Sequence, residues 1–311
     1  MQRVFRNHYK RIVPFLFALA LPAAAAAETW VKLASMPTAR SEMSAASLDG
    51  KIYVPGGLGG TRKLEVFDPA ANTWRALANT PAGRHHHATV AHDGNIYVFG
   101  GADESWRASA TAWRYDPRGN KWQALAEMPE VRYAGAALSL GRYLYVVGGD
   151  GPSGKLLRYD PAQNSWSMLA ATAERREHTA AAALDGKIYV LGGRWQSVGA
   201  MTSVEEYDPG SDQWRAAAPM RVAHSGHAAV AFDGEIVVLG GEVLGAERAT
   251  LDDVEVYNPA TRVWEKSTPL PLALHGAPAA AVNGALYILG GSERAGAIVN
   301  RGLVYKRTFK K

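Results

Sequence analysis

The chain has 311 residues, 47% hydrophobic and 20% charged, and contains no cysteine. Disulfides and the lipid anchor of an exported lipoprotein are therefore excluded, and the fold must rest on its core. The formal charge of +5 sits mostly in the first 27 residues, which hold four of the 34 basic and none of the 29 acidic side chains; the remaining balance, 30 against 29, gives no footing for nucleic-acid binding.

In chain order, the first expected element is a secretory signal peptide. Arg3, Arg6, Lys10 and Arg11 precede the apolar run "IVPFLFALALP", and the alanines before Glu28 offer a cleavage site after Ala27. The apolar run is too short to span a bilayer comfortably, and no later stretch is long enough. A periplasmic or secreted protein, free of the membrane once cleaved, is expected. Residues 28–311 form a single domain, expected to be a monomer. The basic end "YKRTFKK", Tyr305–Lys311, reads as a solvated tail.

After the leader the sequence repeats. Glycine pairs begin at Gly56, Gly100, Gly148, Gly192, Gly240 and Gly290, each after an apolar run such as "KIYVP" or "NIYVF". A tryptophan stands 26 residues before each pair, at Trp30, Trp74, Trp122, Trp166, Trp214 and Trp264. Seven residues before each tryptophan except the first is an aromatic: Phe67, Tyr115, Tyr159, Tyr207 and Tyr257, with Tyr305 as a sixth copy at the chain end.

Each unit reads as four antiparallel strands. An alanine-rich strand such as "HAAVAF" turns at Asp-Gly or Asn-Gly (Asp49-Gly50, Asp93-Gly94, Asp185-Gly186, Asp233-Gly234, Asn283-Gly284) into the "IYV" strand. The third unit has Leu140-Gly141 there, a weaker signal. The third strand ends at Tyr-Asp-Pro and the fourth begins at the tryptophan. The "IYV" strands are apolar at every position, so both faces must be covered. Sheets stacked around an axis cover both faces, with small residues near the taper and aromatics in the wider gaps.

The expected fold is all-β, a six-bladed β-propeller of four-stranded antiparallel blades. The chain begins with a fourth strand near Trp30 and ends with a third, "NRGLVYKR", so the N-terminal strand must close the last blade; an open ring would leave an unpaired edge. The double glycines with spaced tyrosine and tryptophan, and an arginine or histidine before the first strand, resemble the Kelch repeat family. The resemblance spans residues 28–308 and is specific for fold, far less so for activity.

All variation in repeat length falls between the second glycine and the next aromatic, so one set of loops varies, and it shares a rim with "TPAGRHHH" and its counterparts. Sixteen residues before the glycine pairs, Arg40, Arg84, Arg132, Arg176, His224 and Leu274 encircle that mouth. Two readings stand side by side. The arginines are donors for carboxylates or acidic sugars, or they pair with rim acids such as Glu42, Asp150, Glu177 and Glu242 and knit blades together. His85, Asp150, Arg194, Glu242, Trp106 and Trp195 join the candidate ligand-binding set, the two tryptophans lying in variable loops outside the repeated positions. Trp113 reads as packing.

Histidines crowd these segments, but no separate carboxylate–histidine set is spaced to complete a metal shell, and neither a metal nor a cofactor is expected. No motif identifies a catalytic residue. A binding or scaffold protein that recognises a protein or glycan at the variable rim is the favoured expectation. Six-bladed periplasmic Kelch proteins that interconvert sialic acid anomers supply the alternative, a mutarotase acting on an acidic sugar, with Glu42, Glu177 or His178 as an acid–base source.

Overall fold

The computed structural model describes residues 29–308, apart from 246, 247 and 299. The leader expected over residues 1–27 lies outside the described residues. Six four-stranded antiparallel sheets surround an axis. In the first blade the strands are Ala46–Leu48, Lys51–Pro55, Leu64–Asp68 and Thr73–Ala76, paired in chain order. The sixth blade combines Ala279–Val282, Ala285–Leu289 and Val304–Thr308 with the N-terminal Val31–Lys32, which sets Val31 opposite Lys306. Closure by the N-terminal strand is thus the observed arrangement.

Local sequence explains each piece. Asp49 and Gly50 both take positive φ (49° and 73°), the backbone of a type I′ hairpin whose twist matches the flanking strands. In blade three Leu140 pairs with Tyr143, so the turn is Gly141–Arg142 and not Leu140-Gly141. Only Gly141 has positive φ, because the bulky leucine avoids that region and glycine leads the turn instead. The second strands are buried on both faces: Ile52 and Val54 are fully buried and Tyr53 nearly so.

The glycine pairs exist because neighbouring blades touch there. At Gly100 φ is +62°, and a Cβ would lie 2.2 Å from the carbonyl oxygen of Arg132 in the next blade. The following Gly101 N–H donates to that same oxygen at 2.8 Å. Equivalent bonds run from Gly57 to Arg84, Gly149 to Arg176, Gly193 to His224, Gly241 to Leu274 and Gly291 to Arg40, so this link repeats at every blade junction.

The tryptophans make a second set of junctions. Trp166 packs against Tyr159 across its own blade, with ring centroids 4.9 Å apart, and donates its indole N–H to Ala126 O of the preceding blade at 2.8 Å. Trp74, Trp122, Trp214 and Trp264 do the same with Ala34, Ala78, Ala170 and Ala218. The fixed seven-residue offset is therefore a cross-strand pair, Tyr159 opposite Trp166.

Blade six departs from the sequence reading. Ile288, not Leu286, lies opposite Tyr305, and Leu286 faces Arg307. The position filled by Phe67 or Tyr115 in other blades belongs here to Arg307, which is 2% exposed. Tyr305 is displaced by two residues, a shift that keeps strand alternation intact and so goes unseen in the pattern. The basic end is accordingly a strand through Thr308 and not a solvated tail; residues 309–311 lie outside the described residues.

Candidate functional site

Two residues beyond the Arg/His/Leu column, each blade turns in to the axis. Glu42, His86, Ala134, His178, Gly226 and Gly276 all have φ between 49° and 60°. Their backbones form a collar: Glu42 N–H donates to Gly276 O, His86 to Glu42, Ala134 to His86, Gly226 to His178 and Gly276 to Gly226, at 2.7–2.9 Å. Below the collar lies a channel cavity of ≈ 160 Å³ lined largely by the alanines of the inner strands. On the collar, three polar side chains converge.

Glu42 Oε2 is 3.2 Å from His86 Nε2 and 4.0 Å from His178 Nε2, and Glu42 Oε1 is 3.2 Å from His275 Nδ1. Burial would raise the Glu42 pKa, but His86, His275 and His178 outweigh it and hold the carboxyl well below the ordinary range. Burial pushes His86 down to about 3, against the pull of Glu42, and also lowers His85. Their Nδ1 atoms are 2.6 Å apart, and His85 Nε2 contacts Asp103 O at 2.9 Å. Burial acts to lower His275, yet Glu42 and Glu242 raise it, and its Nε2–H faces the carbonyl of Arg294 at 3.0 Å.

Around this floor stands a second tier. His178 Nδ1 contacts Glu177 Oε2. Arg194 donates from Nε to Glu177 Oε1 (2.7 Å), from Nη1 to Glu242 Oε1 (2.6 Å) and from Nη2 to His178 Nε2 (3.1 Å). Glu242 Oε2 also accepts the Gly296 N–H at 2.8 Å. Tyr133 donates to Asp150 Oδ2 at 3.0 Å, and burial followed by that carboxylate pushes the phenol up to about 12.

Trp106 lies over the mouth. Asp103 Oδ1 accepts the N–H groups of Ser105 and Arg107, folding a tight turn that holds Trp106 at φ 61° and leaves it 54% exposed. Its ring is 4.5 Å from His85 and 5.3 Å from His86. Trp195 stacks instead under the Arg175 guanidinium, 4.2 Å away.

The arginine column sits elsewhere than at the mouth. Arg40, Arg132 and Arg176 are 0–2% exposed, and each donates to the carbonyl of the first glycine in its own blade: Gly56, Gly148 and Gly192, at 2.7–2.9 Å. His224 makes the same contact with Gly240 O at 2.7 Å. That bond is the reason for the constant sixteen-residue offset. Their carboxylate partners are Glu65, Glu130 and Glu205, not the rim acids considered from sequence. Arg84 bonds Gly83 O and Ser109 and lies over Trp113, which is buried.

From the expected set, His85, Trp106, Arg194 and Glu242 meet at the axial mouth, with Asp150 beside them through Tyr133. Tyr133 was not singled out by sequence, and His86 and His275 stood there only among the crowded histidines from which no metal site was expected. The signal for His86 was present two residues beyond the arginine column, where the aligned repeats read Glu42, His86, Ala134, His178, Gly226 and Gly276, polar side chains in a column that also takes glycine.

The family model for the Attractin/LZTR1 beta-propeller matches residues 111–302, and that for the KLHDC2/KLHL20/DRC7 Kelch-repeats domain matches residues 16–149. The chain belongs to the Kelch β-propeller family. Among solved structures, this Kelch propeller is similar to the one titled "Structure of YjhT", with a TM-score of 0.76, 20% identity, 88% of this chain and 96% of that chain covered. At that identity the likeness carries the fold alone. No curated protein sequence matches significantly.

Proposed function

We propose that this Kelch propeller is an exported binding protein that takes a saccharide across its axial mouth. The observation that carries this reading is Trp106, an aromatic face left 54% exposed beside buried hydrogen-bonding groups. Sugar rings present an apolar face to stack on such a ring and hydroxyls to bond the polar groups around it. The arginines that would have favoured an acidic sugar are turned into the blades. Glu177 and Glu242 share the single guanidinium of Arg194, and Glu42 is met by histidines alone, so the charge balance favours a neutral or amino sugar.

The test is a thermal-shift and calorimetric screen of untagged mature protein against neutral, amino and acidic saccharides. A neutral or amino sugar stabilises the protein, and Trp106→Ala weakens it tenfold or more, on the order of 1.4 kcal/mol. A response confined to acidic sugars, or silence across the panel, would sink this reading; silence would point to a protein partner.

A second reading, anomer interconversion, is favoured by His275, whose pKa Glu42 and Glu242 raise against its burial, standing on the same floor as the Glu177–His178 pair. Ring opening needs one group to take the anomeric hydroxyl proton while another protonates the ring oxygen. Faster equilibration of anomer NMR signals by the protein distinguishes catalysis from binding alone.

A further inference from the structure

We propose that the axial collar is a binding site for a divalent first-row transition ion, held by Glu42, His86 and His178. The donor atoms lie within 4.8 Å of one another although the residues come from three different blades. In both imidazoles Nδ1 is engaged outward, by His85 for His86 and by Glu177 for His178, which leaves both Nε2 atoms turned to one carboxylate oxygen. Metal-binding histidines are held in this way, the outer nitrogen tied to a carboxylate or another polar group so that the inner lone pair is aimed.

The distances fit. Ligands about 2.0–2.2 Å from an ion in a tetrahedral shell stand roughly 3.4 Å from each other. The His86–Glu42 separation of 3.2 Å is already there, the 4.0 Å from His178 to Glu42 must contract by about 0.6 Å, and the two imidazoles, with donor atoms within 4.8 Å, must close toward each other as the ion binds. A tetrahedral shell with three protein ligands leaves a position for water or a ligand oxygen. Two imidazoles and a carboxylate suit zinc, cobalt or nickel better than calcium or magnesium.

Charge and occupancy agree with this assignment. Glu177 and Glu242 share one guanidinium, Arg194, while Glu42 has only histidines, His86, His178 and His275, as its ion-pair partners. Arg194 Nη2 now touches the His178 lone pair, standing where a cation is wanted. Its other two contacts, to Glu177 and Glu242, hold the rest of the guanidinium, so only the Nη2 contact must yield to an ion.

The collar geometry supplies an unusually safe set of variants. Gly226 and Gly276 occupy the same left-handed position in blades five and six, so glycine fits at 42, 86 and 178 without strain. Untagged, chelator-treated mature protein is titrated with Zn²⁺ by calorimetry and with Co²⁺ by visible absorption. One ion binds per chain, and Co²⁺ gives the visible bands of a low-coordinate site with nitrogen ligands. Glu42→Gly, His86→Gly and His178→Gly keep a cooperative melt yet weaken Zn²⁺ at least 100-fold, while Ala134→Gly, in the same column, leaves affinity unchanged. Absence of stoichiometric binding, or binding that survives both histidine variants, overturns the proposal. No sugar enters this titration, so its failure would leave the saccharide reading standing.

Discussion

Replacing Arg176 with methionine tests whether the arginine column serves the blades or a ligand. Arg176 is 1% exposed; Nη1 donates to Gly192 O and Ser203 O at 2.9 and 3.0 Å, and Nη2 to Glu205 Oε1 at 2.8 Å and Glu174 Oε2 at 3.1 Å. Methionine keeps the apolar stem and removes all four of these hydrogen bonds. Glu205, 5% exposed, is left with the N–H groups of Ala173 and Glu174 as partners. Removing one partner of a buried ion pair costs about 3–5 kcal/mol, because the other charge stays desolvated. With an unfolding entropy of about 0.6 kcal/mol/K for a domain of about 280 residues, a loss of about 4 kcal/mol lowers Tm by about 7 °C. Adding Glu205→Gln removes the orphaned charge and restores roughly half of the loss, a non-additivity that a double-mutant cycle reads directly. Thermal and urea melts of the parent, the two single variants and the double variant supply the four values. An Arg176→Met protein that melts within about 2 °C of the parent would refute the structural assignment.

The ring closure makes a second demand. Deleting Thr29–Ala34 removes the closing strand, the Trp30 indole bond to Thr268 O and the Leu33 N–H bond to Val304 O, on the order of 5 kcal/mol together, and broadens the single melting transition. An unchanged cooperative melt would mean that the last blade stands without it. The third concerns acid. Burial first, then His224 and Arg176, holds the pKa of His227 well below 6.5, so the unfolded chain takes up a proton before the folded one. Stability from this residue is present above the unfolded-state value near 6.5 and falls as pH drops below it. Melts at pH 7.5 and 5.0 should show a shallower pH dependence in His227→Gln, and equal slopes would contradict the assignment.

The fold was legible because a propeller writes itself in local, repeated signals. Asp-Gly marks hairpins, the glycine pair marks the place where the next blade's carbonyl leaves no room for a Cβ, and the tryptophan marks the bond to the blade before. Counting tryptophans against glycine pairs gave closure as well. What slipped were registers. Tyr305 matched the aromatic spacing while Arg307 filled the position, and Gly141 moved its turn by one residue, since neither change disturbs the alternation that the pattern reports.

The site was less legible for a reason rooted in the ring itself. Glu42, His86 and His178 are 44 and 92 residues apart along the chain, and only closure around an axis brings them within reach. The arginine column was visible but ambiguous: its sixteen-residue spacing reflects a bond to a glycine carbonyl in the same blade, which no composition argument distinguishes from a ring of ligand donors.

Backbone strain sharpens that distinction. The collar imposes a left-handed conformation on six residues, and for any L side chain it costs about 1 kcal/mol relative to glycine. Ala134 bears that cost for a single methyl group, so strain alone does not mark function. At Glu42, His86 and His178 the cost is borne by groups whose inner atoms face one another, the two histidines oriented by His85 and Glu177 behind them and Glu42 by His275. A collar needed only to close the ring would be served better by glycine at all six positions, as at Gly226 and Gly276. The three polar side chains oppose collar stability, and their convergence gives them a role that closing the ring does not require.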